Sequence, residues 1–325
     1  MKNPLSLAAA AALIIAAIGM SLTNSYATTL AIEILIAGVF VSGVNLLLGY
    51  TGLVPLGNAM FVGLGAYGYA VLTKLLDVPI WAAFPLAVLI VLLLSVIVGF
   101  ICTRTREVEF LLITLAFCQM FYGLAVKSKP TGGTDGLTGL SRPDLGWLGV
   151  SADAPLVFYA YVAVVAAVML FLLWRIVRSP FGSVLVGIRE NERRVQAMGY
   201  GVTYYKVGAF VIAAVFAAVS GVLSAQYSYF VNPEMMTWQV GGEAVLMVII
   251  GGRRYLFGGL VGAAIFILAK QGLSMLTENY LIFFGLFFML VVVFLQDGVL
   301  GLLDSKQTSH RKDGKWWKTR LKSAA

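Results

Sequence analysis

The sequence predicts an all-α integral membrane protein, a polytopic helical bundle of about ten transmembrane helices (eight to ten) with both termini cytoplasmic. Three observations carry this. Of 325 residues, 60% are hydrophobic and only 12% charged, far below the charge content of a soluble domain. Apolar runs of about 17–25 residues recur, the length a helix needs to cross a hydrocarbon core. The basic residues then fall mostly on one side of the resulting layout.

The runs place spans at 5–23, 28–48, 55–74, 81–101, 108–126, 156–174, 206–227, 240–253, 257–276 and 281–296. Each must be helical, because unpaired backbone groups in lipid cost several kcal/mol apiece. Met1-Lys2-Asn3 and the Ala/Ile/Leu run that follows, ending near Ser25-Tyr26-Ala27, have the make-up of a cleavable leader. The reading taken here is a retained first span with Lys2 inside. The third span follows Pro55 and holds Gly57, Gly63, Gly65 and Gly68, which marks it as a broken or re-entrant helix; the eighth is short and invites the same reading.

Orientation follows from charge. With both ends inside, the cytoplasmic segments hold Lys2, Arg104, Arg106, Arg175, Arg178, Arg189, Arg193, Arg194, Lys206, Arg253, Arg254 and the seven basic residues of the tail. That is 18 of the 23 Lys and Arg. Lys74, Lys127, Lys129, Arg142 and Lys270 make up the other five. The net charge of +8 therefore reflects the membrane and not a nucleic-acid partner. The chain divides into a transmembrane region, 1–303, with a cytoplasmic loop at 175–206 and an outer loop at 127–155, and a basic tail, 304–325. The tail carries Trp316 and Trp317 and suits an anionic lipid surface.

Several chemistries are excluded. Cys102 and Cys118 lie in apolar spans, and the single His is His310 in the tail, so neither a metal site nor a disulfide framework is indicated. No Gly-x-x-x-x-Gly-Lys-Ser/Thr occurs, so the chain has no P-loop of its own; any ATP must be bound by another subunit.

The cytoplasmic loop holds a helix-sized stretch, Val186–Gly199. Ile188, Val195 and Met198 recur at helical spacing, and Glu190 stands four residues before Arg194, the favoured order for a helix pair. Gly199 suits the C-terminal end. This element either docks on a cytoplasmic partner or lies along the headgroups. Within the spans, Glu33, Gln119, Glu243 and Lys270 are costly to bury. Glu33 and Lys270 are near enough to span ends to snorkel. Glu243, after Gly241-Gly242, is the first candidate for a passage residue, with Gln119, Asn45 and Asn58 as further polar candidates. The outer segment Thr131-Gly132-Gly133-Thr134-Asp135 reads as turns that either join spans or face a partner or solute.

Ser179-Pro-Phe-Gly182, Gly187-Ile188-Arg189-Glu190-Asn191-Glu192, Ala197-Met-Gly-Tyr200 and Tyr205-Lys206 together resemble the cytoplasmic loop of branched-chain amino acid ABC transporter permeases. Asn45-Leu-Leu-Leu-Gly-Tyr-Thr-Gly-Leu53, Thr131-Gly-Gly-Thr-Asp-Gly-Leu137 and Gly251-Gly-Arg253 with Leu256-Phe-Gly258 are similar to its other signatures, in order and over nearly the whole chain, and look more like the LivM-type subunit than the LivH-type. The resemblance implies a permease subunit in a bacterial inner membrane, not an enzyme. It implies a LivH-type second permease, two cytoplasmic ATPase subunits that use the ATP, and a periplasmic or extracellular solute-binding protein. It further implies coupling to the ATPases through Gly187–Arg194 and Gly199. Branched-chain amino acids are the implied solutes; relatives carry urea or amides. The sequence departs from the Glu-Ala-Ala-x-x-x-Gly pattern common in such loops, since Arg193-Arg-Val-Gln-Ala-Met-Gly199 stands there and Glu192 lies one position early. The rival reading from another class is an ion-coupled secondary transporter, which needs intramembrane acids paired across repeats.

Overall fold

The computed structural model describes residues 25–105, 107–143 and 155–276, with 282–283, 285–286, 288–289 and 298–301. The span expected at 5–23, most of that at 281–296, residues 144–154 of the outer loop and the tail lie outside the described residues.

The described chain is a helical multi-pass membrane protein. Six helices are long and apolar enough to cross a bilayer: Tyr26–Thr51, Ile80–Cys102, Val108–Lys127, Pro155–Arg178, Val202–Ser228 and Gly258–Met275. In chain order the helices are α1 (Ser25–Asn45), α2 (Ala59–Lys74), α3 (Ile80–Cys102), α4 (Glu107–Lys127), α5 (Pro155–Arg178), α6 (Pro180–Ala197), α7 (Val202–Ser228), α8 (Trp238–Gly251) and α9 (Gly258–Leu276). Strands β1 (Leu137–Thr138) and β2 (Phe230–Val231) pair antiparallel, Leu137 opposite Val231.

The centre is α7 between α1, α2 and α3. Ala209, Ala213, Ala214, Ala217 and Ala218 are fully buried along it. Small side chains let helix backbones approach where lipid offers no hydrophobic drive to association. Larger rings fill the gaps, with Phe210 edge-on to both Phe61 and Phe110. By contrast α3 and α4 bury little of their surface within the chain.

Two helices are too short to cross alone. α2 has 16 residues and α8 has 14, about 24 and 21 Å at 1.5 Å per residue against a core of about 30 Å. Each is preceded by non-helical chain. α1 runs into a π-helical turn, Leu46–Thr51, and closes at Gly52, whose φ of 82° favours glycine. The chain then passes through Pro55 and a 3-10 turn, Leu56–Asn58, before α2 begins. Ahead of α8, β2 leads into the 3-10 turn Pro233–Met236. This turn has descended into the bundle: the Cys118 thiol donates to the Met236 carbonyl at 2.8 Å, nine residues, or about 14 Å, below the end of α4. The two breaks touch. A Cβ on Gly241 of α8 would collide with the Leu56 carbonyl, and one on Gly57 with the carbonyl of Thr114 on α4. The broken character expected of the third and eighth spans is thus the observed one.

The segments that charge assigns to one face gather at one end of the bundle, here the basic end: Thr51–Leu53, Thr103–Thr105, Ile188–Arg193 and Lys206 line a common cavity. Those assigned to the other face gather at the far end, around β1, β2, Lys74 and Arg142.

Candidate functional site

At the basic end, the loop between α5 and α7 folds into α6. Pro180 fits the first helical turn, where its missing N–H costs nothing. The helix is longer than the stretch read from sequence and is broken inside it: Asn191 is extended (φ −161°, ψ 96°), and its side-chain oxygen accepts from the Arg194 backbone N–H at 3.0 Å. Asn191 therefore caps a second helical piece. The expected Glu190–Arg194 pairing on one helix is corrected by this break, which takes the two residues off a shared ladder. Leu185, Ile188 and Val195 form the buried face; Met198, expected on it, lies beyond the last turn and is 61% exposed. Gly199 ends the element with φ 87°, as its position implied.

Two side chains fasten α6 to the bundle. The Arg189 guanidinium donates to the Gly49 carbonyl in the π-helical turn. Glu192 takes both oxygens to the Lys206 ammonium of α7 at 2.8 Å. The Lys206 side chain is 8% exposed and that of Glu192 is 43%, so a buried cation depends on a carboxylate at the edge of solvent. Glu190, Arg193, Arg194 and Gln196 remain exposed. Between α6 and the 103–109 segment lies a cavity of about 890 Å³, lined also by Thr51, Gly52, Glu109 and Thr203. The sequence marks Lys206 as a cytoplasmic charge and as part of the Tyr205-Lys206 signature, but not as the partner of Glu192. Its place in an otherwise apolar run, fourteen residues after an acid, was the available signal.

The membrane candidates separate. Asn45 is buried and donates to the Tyr255 carbonyl at 2.8 Å, tying α1 to the turn between α8 and α9. Asn58, 1% exposed, sits at the break before α2 with no protein partner for its amide. Gln119 is exposed on α4. Glu33 accepts from the Tyr227 hydroxyl at 3.2 Å. Glu243 and Lys270 face each other at 3.9 Å, each 42% exposed. Lys270 is thus turned towards an acid, which corrects the snorkelling reading. A charge at mid-bilayer costs about 2.5–3.5 kcal/mol on insertion scales, so this pair is the most conspicuous polar feature of the spans.

At the far end, Thr131 donates to the Ala125 and Ser128 carbonyls at 2.5 and 2.7 Å. Gly132 and Gly133 turn the chain with positive φ, and Thr134 and Asp135 are exposed, their side chains 3.4 Å apart. Of this segment, Thr131 is committed to the turn, while Gly132, Thr134 and Asp135 are exposed. Arg142, which sequence reading treated only as a charge, donates to the Gln226 and Tyr227 carbonyls at 3.1 and 3.2 Å and lies over the rings of Phe158 and Tyr229 at 4.2 and 4.4 Å.

A polar cavity beside a fastened loop helix, two broken spans and an ion pair between apolar helices are the main polar features of the bundle. The family described as branched-chain amino acid transport system / permease component matches residues 26–294. The chain belongs to that family. Among relatives of this permease family, the high-affinity branched-chain amino acid transport system permease protein LivM of Salmonella typhimurium is 28% identical over 280 residues, 79% of this chain and 66% of the relative. LivM of Escherichia coli is 26% identical over the same shares. A probable branched-chain amino acid transport permease LivM of Methanocaldococcus jannaschii is 28% identical over 148 residues, 44% of this chain and 42% of the relative. The chain thus spans just under two thirds of the length of the two enteric permeases. No solved structure matches it.

Proposed function

We propose that this chain is a permease subunit of an ATP-driven importer in a bacterial cytoplasmic membrane, passing branched-chain amino acids or related small polar solutes. In this reading a LivH-type second permease completes the passage, a solute-binding protein delivers to the far end, and two ATPase subunits dock at the basic, cytoplasmic end. The observation that carries it is the division of labour within α6. Arg189 and Glu192 grip the π-helical end of α1 and the start of α7, while Glu190, Arg193 and Arg194 stay free for a partner. A push on the free face reaches the two most buried helices directly. Moving a two-state equilibrium from 1:99 to 99:1 takes about 5.5 kcal/mol of differential binding. A docked ATPase pair that changes shape with ATP supplies that; a solute bound equally in both states supplies none. The family match does not favour an ion-coupled secondary transporter.

The test reverses the free charges. Arg193→Glu with Arg194→Glu leaves membrane insertion unchanged and cuts co-purification of the ATPase subunits at least tenfold, with uptake falling in step. Wild-type co-purification and uptake in that variant would remove the coupling role from α6.

A further inference from the structure

We propose that Glu243 and Lys270 form a site on the passage wall that reads the zwitterionic head of an α-amino acid, Lys270 taking the carboxylate and Glu243 the ammonium. This rests on the functional reading above and names the residues that would act on that class of solute.

Depth comes first. α8 and α9 are an antiparallel hairpin whose turn lies at the basic end, against Asn45. Glu243 stands eight residues before Gly251, about 12 Å from that turn, and Lys270 twelve residues after Gly258, about 18 Å from it. Helical side chains lean towards their own N-terminus. Glu243 therefore leans away from the turn and Lys270 towards it, so the charged ends meet about 15 Å up, half the depth of a core of about 30 Å. Neither end reaches a headgroup layer from there.

The ions are 3.9 Å apart and each side chain is 42% exposed. Direct charge-assisted bonds run at about 2.7–2.9 Å, so each ion keeps hydrogen-bonding capacity that its neighbour does not use. The contrast within the chain is Glu192–Lys206, closed at 2.8 Å around a buried ammonium. A closed pair holds structure together; an open pair at mid-depth, with each side chain 42% exposed, suits a polar passage and not hydrocarbon. An amino acid carries its opposite charges on adjacent groups and satisfies both ions at once. Gln239 and Leu246, one turn either side of Glu243 and not buried, offer a polar approach and an aliphatic seat for the side chain.

The experiment uses the assembled importer with its binding protein, and L-leucine as probe. Glu243→Gln and Lys270→Gln singly, and the two together, are compared with the parent for membrane level and initial uptake. The site predicts parental levels with uptake reduced at least tenfold in all three. A purely structural pair predicts the opposite: defective singles and a double variant restored by removing both charges. Restored or parental uptake in the double variant overturns the proposal. Independently, Glu243→Cys and Lys270→Cys are labelled with a water-soluble cationic methanethiosulfonate. Labelling slowed by leucine supports the site; absence of labelling at both positions overturns it, whatever the uptake data. A parental importer that takes up no leucine overturns the functional reading itself, which separates the two failures.

Discussion

The two ends of the bundle are closed by different means. At the far end β1 and β2 pair, and the Arg142 side chain holds two carbonyls of the last turn of α7 while lying over two rings. Tyr69 donates to the Ser141 carbonyl at 2.7 Å, and Lys74 to that of Thr138. At the basic end two side-chain clasps, Arg189 to Gly49 and Glu192 to Lys206, span the edge of a cavity of about 890 Å³. Paired strands and ring contacts fasten the far end through backbone and side chains together. The basic end has its two clasps, and Asn45 on the Tyr255 carbonyl, beside open space, the arrangement that the proposed coupling calls for.

The comparison predicts that far-end substitutions change stability, while basic-end substitutions change coupling. The largest effect is expected from Arg142→Ala, which orphans two carbonyls and loses both ring contacts: about 3 kcal/mol, read as a lowered thermal midpoint in detergent with ATPase co-purification unaltered. An unmoved midpoint would break the comparison. Next is Glu192→Ala, which leaves the buried Lys206 ammonium without its partner. A discounted cost of about 2 kcal/mol is expected, because Glu192 is itself half exposed. Uptake should fall more than stability does, and pairing the change with Lys206→Met should recover stability but not coupling. Tyr69→Phe sharpens the far end with about 1 kcal/mol, measured by the same midpoint. Smallest, Asp135→Ala should stay within about 0.5 kcal/mol, because its carboxylate is exposed and lies 3.4 Å from the Thr134 hydroxyl; any loss of uptake there reports delivery and not folding.

The spans were legible because lipid leaves the backbone one economical choice, and an uninterrupted apolar run shows where it is made. The breaks at the third and eighth spans were legible from glycine density and short length. What lay beyond reading was direction. Lys270 is six residues from the end of α9 and looked able to reach the headgroups, but the lean of helical side chains turns it inward to Glu243. Asn191 was read as one more residue of a continuous helix. Its short amide competes with the backbone and caps instead, between Ile188 and Val195, which are both buried.

Composition and charge alone determined a membrane bundle and an exposed basic loop, and set an expected sidedness, because solvation by lipid and water acts on each residue wherever it stands. Tertiary structure decided which polar groups meet. Glu192 and Lys206, Arg189 and Gly49, Glu243 and Lys270 lie 14, 140 and 27 positions apart, and only the packing of α6 on α7 and the π-helical turn, and of α8 on α9, brings such distant groups within bonding range.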